Sequence, residues 1–123
     1  LLAEHGAAGG PAVVMAEGLL PYLSEPTLAQ LADTLAAALP DAVWLADIVS
    51  TTSAAGMAQL ARTAGTPVPL YGLDRLEVFE QHGWQVADYR ILPVARRGRL
   101  GVPGRPGGPT SDRVVDGVVL LRR

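Results

Sequence analysis

The sequence PAVVMAEGLLPYL, residues 11–23, carries the strongest structural signal in this chain of 123 residues. Its first part, Ala12–Ala16, is a short apolar run that predicts a strand buried on both faces, as in a parallel sheet. Glu17 and Gly18 follow directly. In open α/β sheets, ligands bind outside the carboxyl ends of the strands. Glu17 and Gly18 are therefore candidate site residues.

Strong helix signals come next along the chain. Ser24 is a good N-cap, and Glu25 and Pro26 suit a first helical turn. An apolar stripe at helical spacing then runs as far as Pro40, where the helix is expected to end. The stripe consists of Leu28, Leu31, Leu35 and Leu39. Residues 42–49, AVWLADIV, predict a second buried strand, which completes a βαβ unit with a right-handed crossover.

The second half of the chain predicts two further helices, over residues 50–64 and 74–82. The first of them is expected to turn Met57, Leu60 and Ala61 toward the core.

Two further strands are predicted, over residues 84–92 and 113–123. Between them lie residues 93–112, an irregular loop with five Gly, four Pro and four Arg. Because no helix joins these strands, they are expected to be antiparallel neighbours. The predicted fold is a single α/β domain over residues 1–123, with parallel strands, helices and a C-terminal antiparallel hairpin.

Composition restricts the classes of function. Hydrophobic residues make up 49% of the chain and charged residues 18%, which is typical of a globular protein. Neither a membrane-spanning run nor a signal peptide is evident, so we expect a cytoplasmic protein without a membrane partner. The chain has no Cys and only two His, which argues against a metal site. It begins with Leu1 rather than Met, which suggests a fragment.

The segment EGLLPYL and the topology that follows it resemble the second half of a class I S-adenosylmethionine-dependent methyltransferase. More narrowly, the chain is similar to the leucine carboxyl methyltransferase-like family, which includes bacterial O-methyltransferases associated with polyketide biosynthesis. Its members carry an E-G-[LV]-L-x-Y-L segment, which residues 17–23 match, and a helix that begins near Pro-Glu. Here Glu25 and Pro26 stand in the opposite order. Weaker similarities lie in YGLDRLEVFEQHGWQV, residues 71–86, and in the terminal strand ending in Arg122 and Arg123.

The resemblance implies S-adenosylmethionine as the cofactor and transfer of its methyl group to an oxygen atom of a small metabolite. Glu17, Gly18 and Leu19 would contact the cofactor, although Glu17 could instead be a solvated strand end and Gly18 could serve only the turn. In the family, the first half holds a glycine-rich turn and an acidic residue that bind the cofactor. This chain contains no counterpart of either, so we expect little activity from it alone.

Two residues are candidates for the substrate side of the site. Tyr22 could line a substrate cavity or could simply pack at the helix entrance. Asp47 ends the second strand in the same layer as Glu17, and the two carboxylates could share acid–base work if burial shifts their pKa values. Alternatively, Asp47 caps the next helix or meets water. No catalytic residue can be assigned.

Other readings of the chain remain open. A half sheet would expose an apolar edge strand, which is typical of an interaction or oligomerisation domain or a pseudo-enzyme. The arginines of residues 93–112 could bind nucleic acid, but the net charge of −2 argues against it. His82 is expected to have a structural role at a helix end, and Trp44 and Trp84 are expected to lie in the core.

Overall fold

The computed structural model describes residues 10–92 and 116–123, and these form a mixed α/β fold. The strands are β1 (Ala12–Ala16), β2 (Ala42–Ile48), β3 (Gln85–Ile91) and β4 (Gly117–Arg122). The helices are α1 (Glu25–Ala38), α2 (Thr51–Thr63) and α3 (Glu77–Gln81), and a 3₁₀ turn, Leu20–Tyr22, follows β1. The loop predicted over residues 93–112 lies outside the described residues.

The strands form one sheet in the order β1-β2-β4-β3. β1 pairs in parallel with β2, whereas β4 is antiparallel to both β2 and β3. The predicted antiparallel pairing of the last two strands is therefore confirmed. The position of β4 between β2 and β3 was not foreseen. It leaves β1, β2 and β3 pointing the same way, so their carboxyl ends and the start of β4 lie along one edge. We call this the carboxyl edge.

Helix α1 covers one face of the sheet, as its periodicity predicts. Its buried residues are Leu28, Ala32, Leu35 and Ala36. Ser24 is the N-cap residue, but its hydroxyl pairs with the Thr27 hydroxyl at 2.9 Å rather than with a backbone N–H.

Three aromatic side chains form the centre of the core under α1 and α3. Trp44 packs edge-to-face against Phe79 and Trp84, with ring centroids 5.5 Å and 5.4 Å apart. The Trp84 Nε1–H donates to the carbonyl oxygen of Ala32 at 3.0 Å, which links the residue just before β3 to α1. The Trp44 Nε1–H is buried without an acceptor. The predicted core position of both tryptophans is confirmed.

The prediction that β1 is buried on both faces is wrong. Val13 is 74% exposed and Met15 68% exposed. Ala12, Val14 and Ala16 lie on the opposite face, where the core cluster begins. The physical reason is that β1 is an edge strand among the described residues, and no described element covers the face of Val13 and Met15.

Helix α2 also differs from its prediction. Met57 is 38% exposed and Leu60 71% exposed, whereas Ala54 and Ala58 are buried. The inner face of α2 is thus a pair of alanines one turn apart, and the larger apolar side chains point outward. None of the helices in the described ranges is long and apolar enough to cross a lipid bilayer.

Candidate functional site at the carboxyl edge

The turn after β1 is held by a hydrogen bond from the neighbouring strand. Gly18 adopts φ of +64°, in the left-handed region that favours glycine. A Cβ built there would meet nothing within 4 Å, so the need for glycine is conformational and not steric. The Gly18 N–H donates to Asp47 Oδ1 at 2.8 Å. Two residues singled out from the sequence, Gly18 and Asp47, are therefore in direct contact.

Asp47 does not cap the helix that follows it. Because Ala16 lies opposite Ala46 in the parallel pair, Glu17 and Asp47 follow at the same level of the sheet. Helix α2 is capped by Ser50, whose side chain accepts from the Ser53 N–H at 3.1 Å. The Asp47 carboxylate is instead the acceptor for the β1 turn.

A second carboxylate, Asp116, organises the middle of the carboxyl edge. Its Oδ1 accepts from the Ser50 N–H at 2.8 Å, and its carbonyl oxygen accepts from the Leu92 N–H at 3.0 Å. Asp116 therefore connects the start of β4, the end of β3 and the start of α2. Partial burial raises the pKa of Asp116, but hydrogen bonds from Ser53 and from the Ser50 backbone and side chain outweigh it. The net pKa lies below the usual value of 3.8.

Sequence reasoning missed Asp116, because its partner Ser50 is 66 residues away along the chain. Its only local signal is the Asp-Gly pair that precedes an apolar strand, which is typical of any turn.

The loop of residues 71–73 closes over the carboxyl edge. The Tyr71 N–H donates to the Pro21 carbonyl at 2.7 Å, and the Leu73 N–H donates to the Val49 carbonyl at 2.9 Å. Between them, Gly72 lies so close to the start of α2 that an added Cβ would stand 2.4 Å from the Ser50 carbonyl oxygen. Only glycine permits this approach. The loop therefore joins the turn after β1 to the end of β2.

A shallow apolar cleft lies beneath this loop. Leu20, Pro21 and Leu23 line one side, and Val49 and residues 71–73 line the other. The space open to the centre of a water molecule is about 10 Å³, roughly enough for one water. The cleft is too small for a metabolite, so a ligand at this edge would lie against its outer rim.

The other site residues predicted from the sequence are exposed along this rim. Leu19 is 43% exposed and Tyr22 54% exposed. Tyr22 therefore neither packs in the core nor lines the cleft. Glu17 is exposed and makes no hydrogen bond or ion pair with any described residue.

The carboxylates of the edge fall into two groups. Asp47 and Asp116 accept backbone N–H groups, and Asp74 accepts from the Thr51 hydroxyl at 2.5 Å. Glu17 alone among these four lacks a partner in the described ranges. Its oxygens are available to accept hydrogen bonds from a ligand or to pair with a cation.

His82 lies away from this edge. Its Nδ1 is 2.8 Å from Asp33 Oδ1, which links the end of α3 to α1 near the amino end of β3. The structural role predicted for His82 agrees with this contact. Within residues 10–92 and 116–123, no group of three His, Cys, Asp or Glu could hold a metal ion.

No protein-family model, curated protein or solved structure matches this chain.

Proposed function

We propose that this chain forms the second half of an S-adenosylmethionine-dependent methyltransferase domain of Rossmann-like fold, which methylates an oxygen atom of a small metabolite. The observation that carries the proposal is the Glu17–Gly18 turn at the carboxyl edge. It combines an exposed carboxylate without a described partner with a left-handed glycine that has open space beside it. Ligands of α/β sheets bind at such strand ends.

The strand arrangement supports the same proposal. Three strands that point one way, ending in an antiparallel pair, agree with the topology on which the resemblance to the methyltransferase family rests. The α/β fold is compatible with many functions, so the Glu17–Gly18 turn supports the proposed function more strongly than the strand order does.

The charge of the edge suits this cofactor. Among the described residues, four carboxylates lie at this edge: Glu17, Asp47, Asp74 and Asp116. S-adenosylmethionine carries a net positive charge, because its sulfonium and α-ammonium groups outnumber its one carboxylate. Bound there, the cofactor would supply an electrophilic methyl group on a positively charged sulfur. Glu17 would accept hydrogen bonds from the ligand's ammonium or hydroxyl groups, and Gly18 would let the backbone come close to it.

The chain's contribution to methyl transfer would be positioning rather than acid–base chemistry. Displacement at a methyl group needs the acceptor oxygen in line with the departing sulfur, so the main requirement is orientation. Tyr22, exposed beside the turn, would contact the acceptor and exclude water from it, whereas Leu19, also exposed there, would contact the cofactor. No counterpart of the family's glycine-rich turn is present, so binding to this chain alone would be weak.

Equilibrium binding of S-adenosylmethionine to the purified chain tests the proposal. We expect a dissociation constant in the millimolar range, about −4 kcal/mol of binding free energy. Glu17→Gln should weaken binding several-fold, because it removes the charge while keeping the shape. Glu80→Gln, an equally conservative change at an exposed position on α3, should have no effect. Absence of binding at about 10 mM, or equal effects of the two variants, would refute the proposal.

A second candidate function is an interaction domain, favoured by the exposure of Val13 and Met15 on the edge strand β1. If β1 recruits another copy of the chain, light scattering coupled to size exclusion should show a dimer or larger species. Val13→Lys should then give a monomer. Leu60→Lys, at a position 71% exposed on α2, is the matched control and should not change the mass. A wild-type monomer would rule out self-association through β1.

A further inference from the structure

We infer that Asp47 is a positioning residue, which fixes the direction of Glu17 by holding the Gly18 N–H, and that it is not a substrate contact. This inference deepens the proposed function and rests on it for the identity of the ligand. The contact that carries it is the 2.8 Å hydrogen bond from Gly18 N to Asp47 Oδ1, between residues 29 positions apart.

The two ends of this hydrogen bond differ in rigidity. Asp47 belongs to β2, which is paired on both sides, with β1 and with β4. Gly18 lies outside any strand, and glycine populates many backbone conformations with similar ease. The hydrogen bond therefore transmits the fixed position of β2 to a turn that would otherwise sample several shapes.

Glu17 is the residue whose direction depends on this turn. It stands between the last residue of β1 and Gly18, and its own side chain has no described partner to hold it. A ligand that binds Glu17 in a turn already fixed does not have to order it, which improves affinity without any new contact. Asp47 would thus act on the ligand only through Gly18 and Glu17.

The geometry also argues against direct acid–base work by Asp47. One of its two carboxylate oxygens is already occupied as the acceptor of the Gly18 N–H. The role of Asp47 as the cap of α2 is excluded, because Ser50 is the N-cap residue of that helix.

The test compares Asp47→Ala and Asp47→Asn by two readouts. One is the Gly18 amide resonance in a ¹⁵N-correlated spectrum, which reports the hydrogen bond directly. The other is the dissociation constant for S-adenosylmethionine. Asp47→Ala should move the Gly18 resonance upfield and weaken binding roughly tenfold, the size of one hydrogen bond to a charged group. Asp47→Asn keeps an oxygen acceptor and should retain affinity within about threefold.

Asp41→Ala is the control, because Asp41 is exposed at the opposite end of β2. It should leave both readouts unchanged, and the indole resonances of Trp44 and Trp84 should report an intact core in every variant. An unmoved Gly18 resonance in Asp47→Ala would overturn the inference. Equal loss of affinity in the Ala and Asn variants would also overturn it, because it would indicate a direct charge contact with the ligand. If the wild type binds no S-adenosylmethionine, the proposed function fails, and the Gly18 resonance still decides the assignment of Asp47.

Discussion

Substitution of Gly72 by alanine should destabilise the protein more than its single added methyl group suggests. The new Cβ would stand 2.4 Å from the Ser50 carbonyl oxygen and 2.5 Å from the Thr51 nitrogen. Both atoms are backbone at the start of α2, so no side-chain rotation can relieve the contact. Either the 71–73 loop or the first turn of α2 must move by about 1 Å, toward the separations of ordinary carbon contacts.

The expected decrease in the free energy of unfolding can be estimated from the hydrogen bonds that this movement would weaken and from the overpacking itself. The loop is fastened by hydrogen bonds from Tyr71 to Pro21 and from Leu73 to Val49, each contributing about 1 kcal/mol. Overpacking by itself costs about 1–3 kcal/mol. We therefore expect Gly72→Ala to lower the free energy of unfolding by about 2–4 kcal/mol. With a urea dependence of about 1.5 kcal/mol per molar, the unfolding midpoint should fall by about 1–3 M.

Urea unfolding followed by tryptophan fluorescence measures this change, because Trp44 and Trp84 are both buried in the core. Gly56→Ala is the matched control. Gly56 lies in α2 with nothing within 4 Å of an added Cβ, so alanine should stabilise the helix by about 0.5–1 kcal/mol. The reasoning is refuted if Gly72→Ala costs less than about 0.5 kcal/mol, or if both substitutions have the same sign.

Three further predictions concern the core and the carboxyl edge. Trp84→Phe should lower the free energy of unfolding by about 1 kcal/mol more than Trp44→Phe, because only Trp84 loses a hydrogen bond, the one to Ala32. Equal decreases for the two variants in urea unfolding would contradict this. Gly18→Ala should lower the free energy of unfolding by about 1–2 kcal/mol, because alanine is strained at the positive φ of this position. An unchanged unfolding midpoint would contradict the left-handed conformation of Gly18. The pKa of Asp116 is lowered, so its stabilising effect is present above pH 3.8 and is lost as the pH falls through the folded-state pKa. The stability difference between wild type and Asp116→Ala should therefore close below about pH 4 in thermal unfolding, and a pH-independent difference would refute this.

Local patterns in the sequence predicted the elements of this fold well. The apolar run Ala12–Ala16 is a strand with those bounds, and the leucine stripe of α1 faces the core. Both follow from hydrophobic period and length, which are properties of a few neighbouring residues. The antiparallel pairing of β3 and β4 was predictable because the sequence between them carries no helical pattern.

Features that depend on distant partners could not be predicted in the same way. The insertion of β4 between β2 and β3 is decided by pairing across the chain, which leaves no local signal. The exposure of Val13 and Met15 depends on what covers the second face of β1. The local sequence Val-Val-Met is compatible with a covered or an uncovered face, so it does not predict which one occurs. In α2, Ala54 and Ala58 form the buried face and Leu60 is exposed. The local sequence likewise did not predict which face of this helix is buried.

The candidate site was anticipated in part. Because ligands bind at strand ends, the sequence predicts Glu17, Gly18 and Asp47 as site residues, and Gly18 and Asp47 are in contact in the structure. The contacts from Asp116 to Ser50 and from Gly72 to Ser50 were missed, because each joins residues far apart in sequence. The roles of Leu19 and Tyr22 toward a ligand stay predictions.

The central claim is that the Glu17–Gly18 turn is the part of this chain that meets S-adenosylmethionine. Its most direct test is a titration of the ¹⁵N-labelled chain with S-adenosylmethionine, followed residue by residue. The account predicts that the amide resonances of Glu17, Gly18 and Leu19 move most, and that they saturate only at millimolar ligand. Resonances that stay fixed in this turn while others move, or saturation at micromolar ligand, would contradict it.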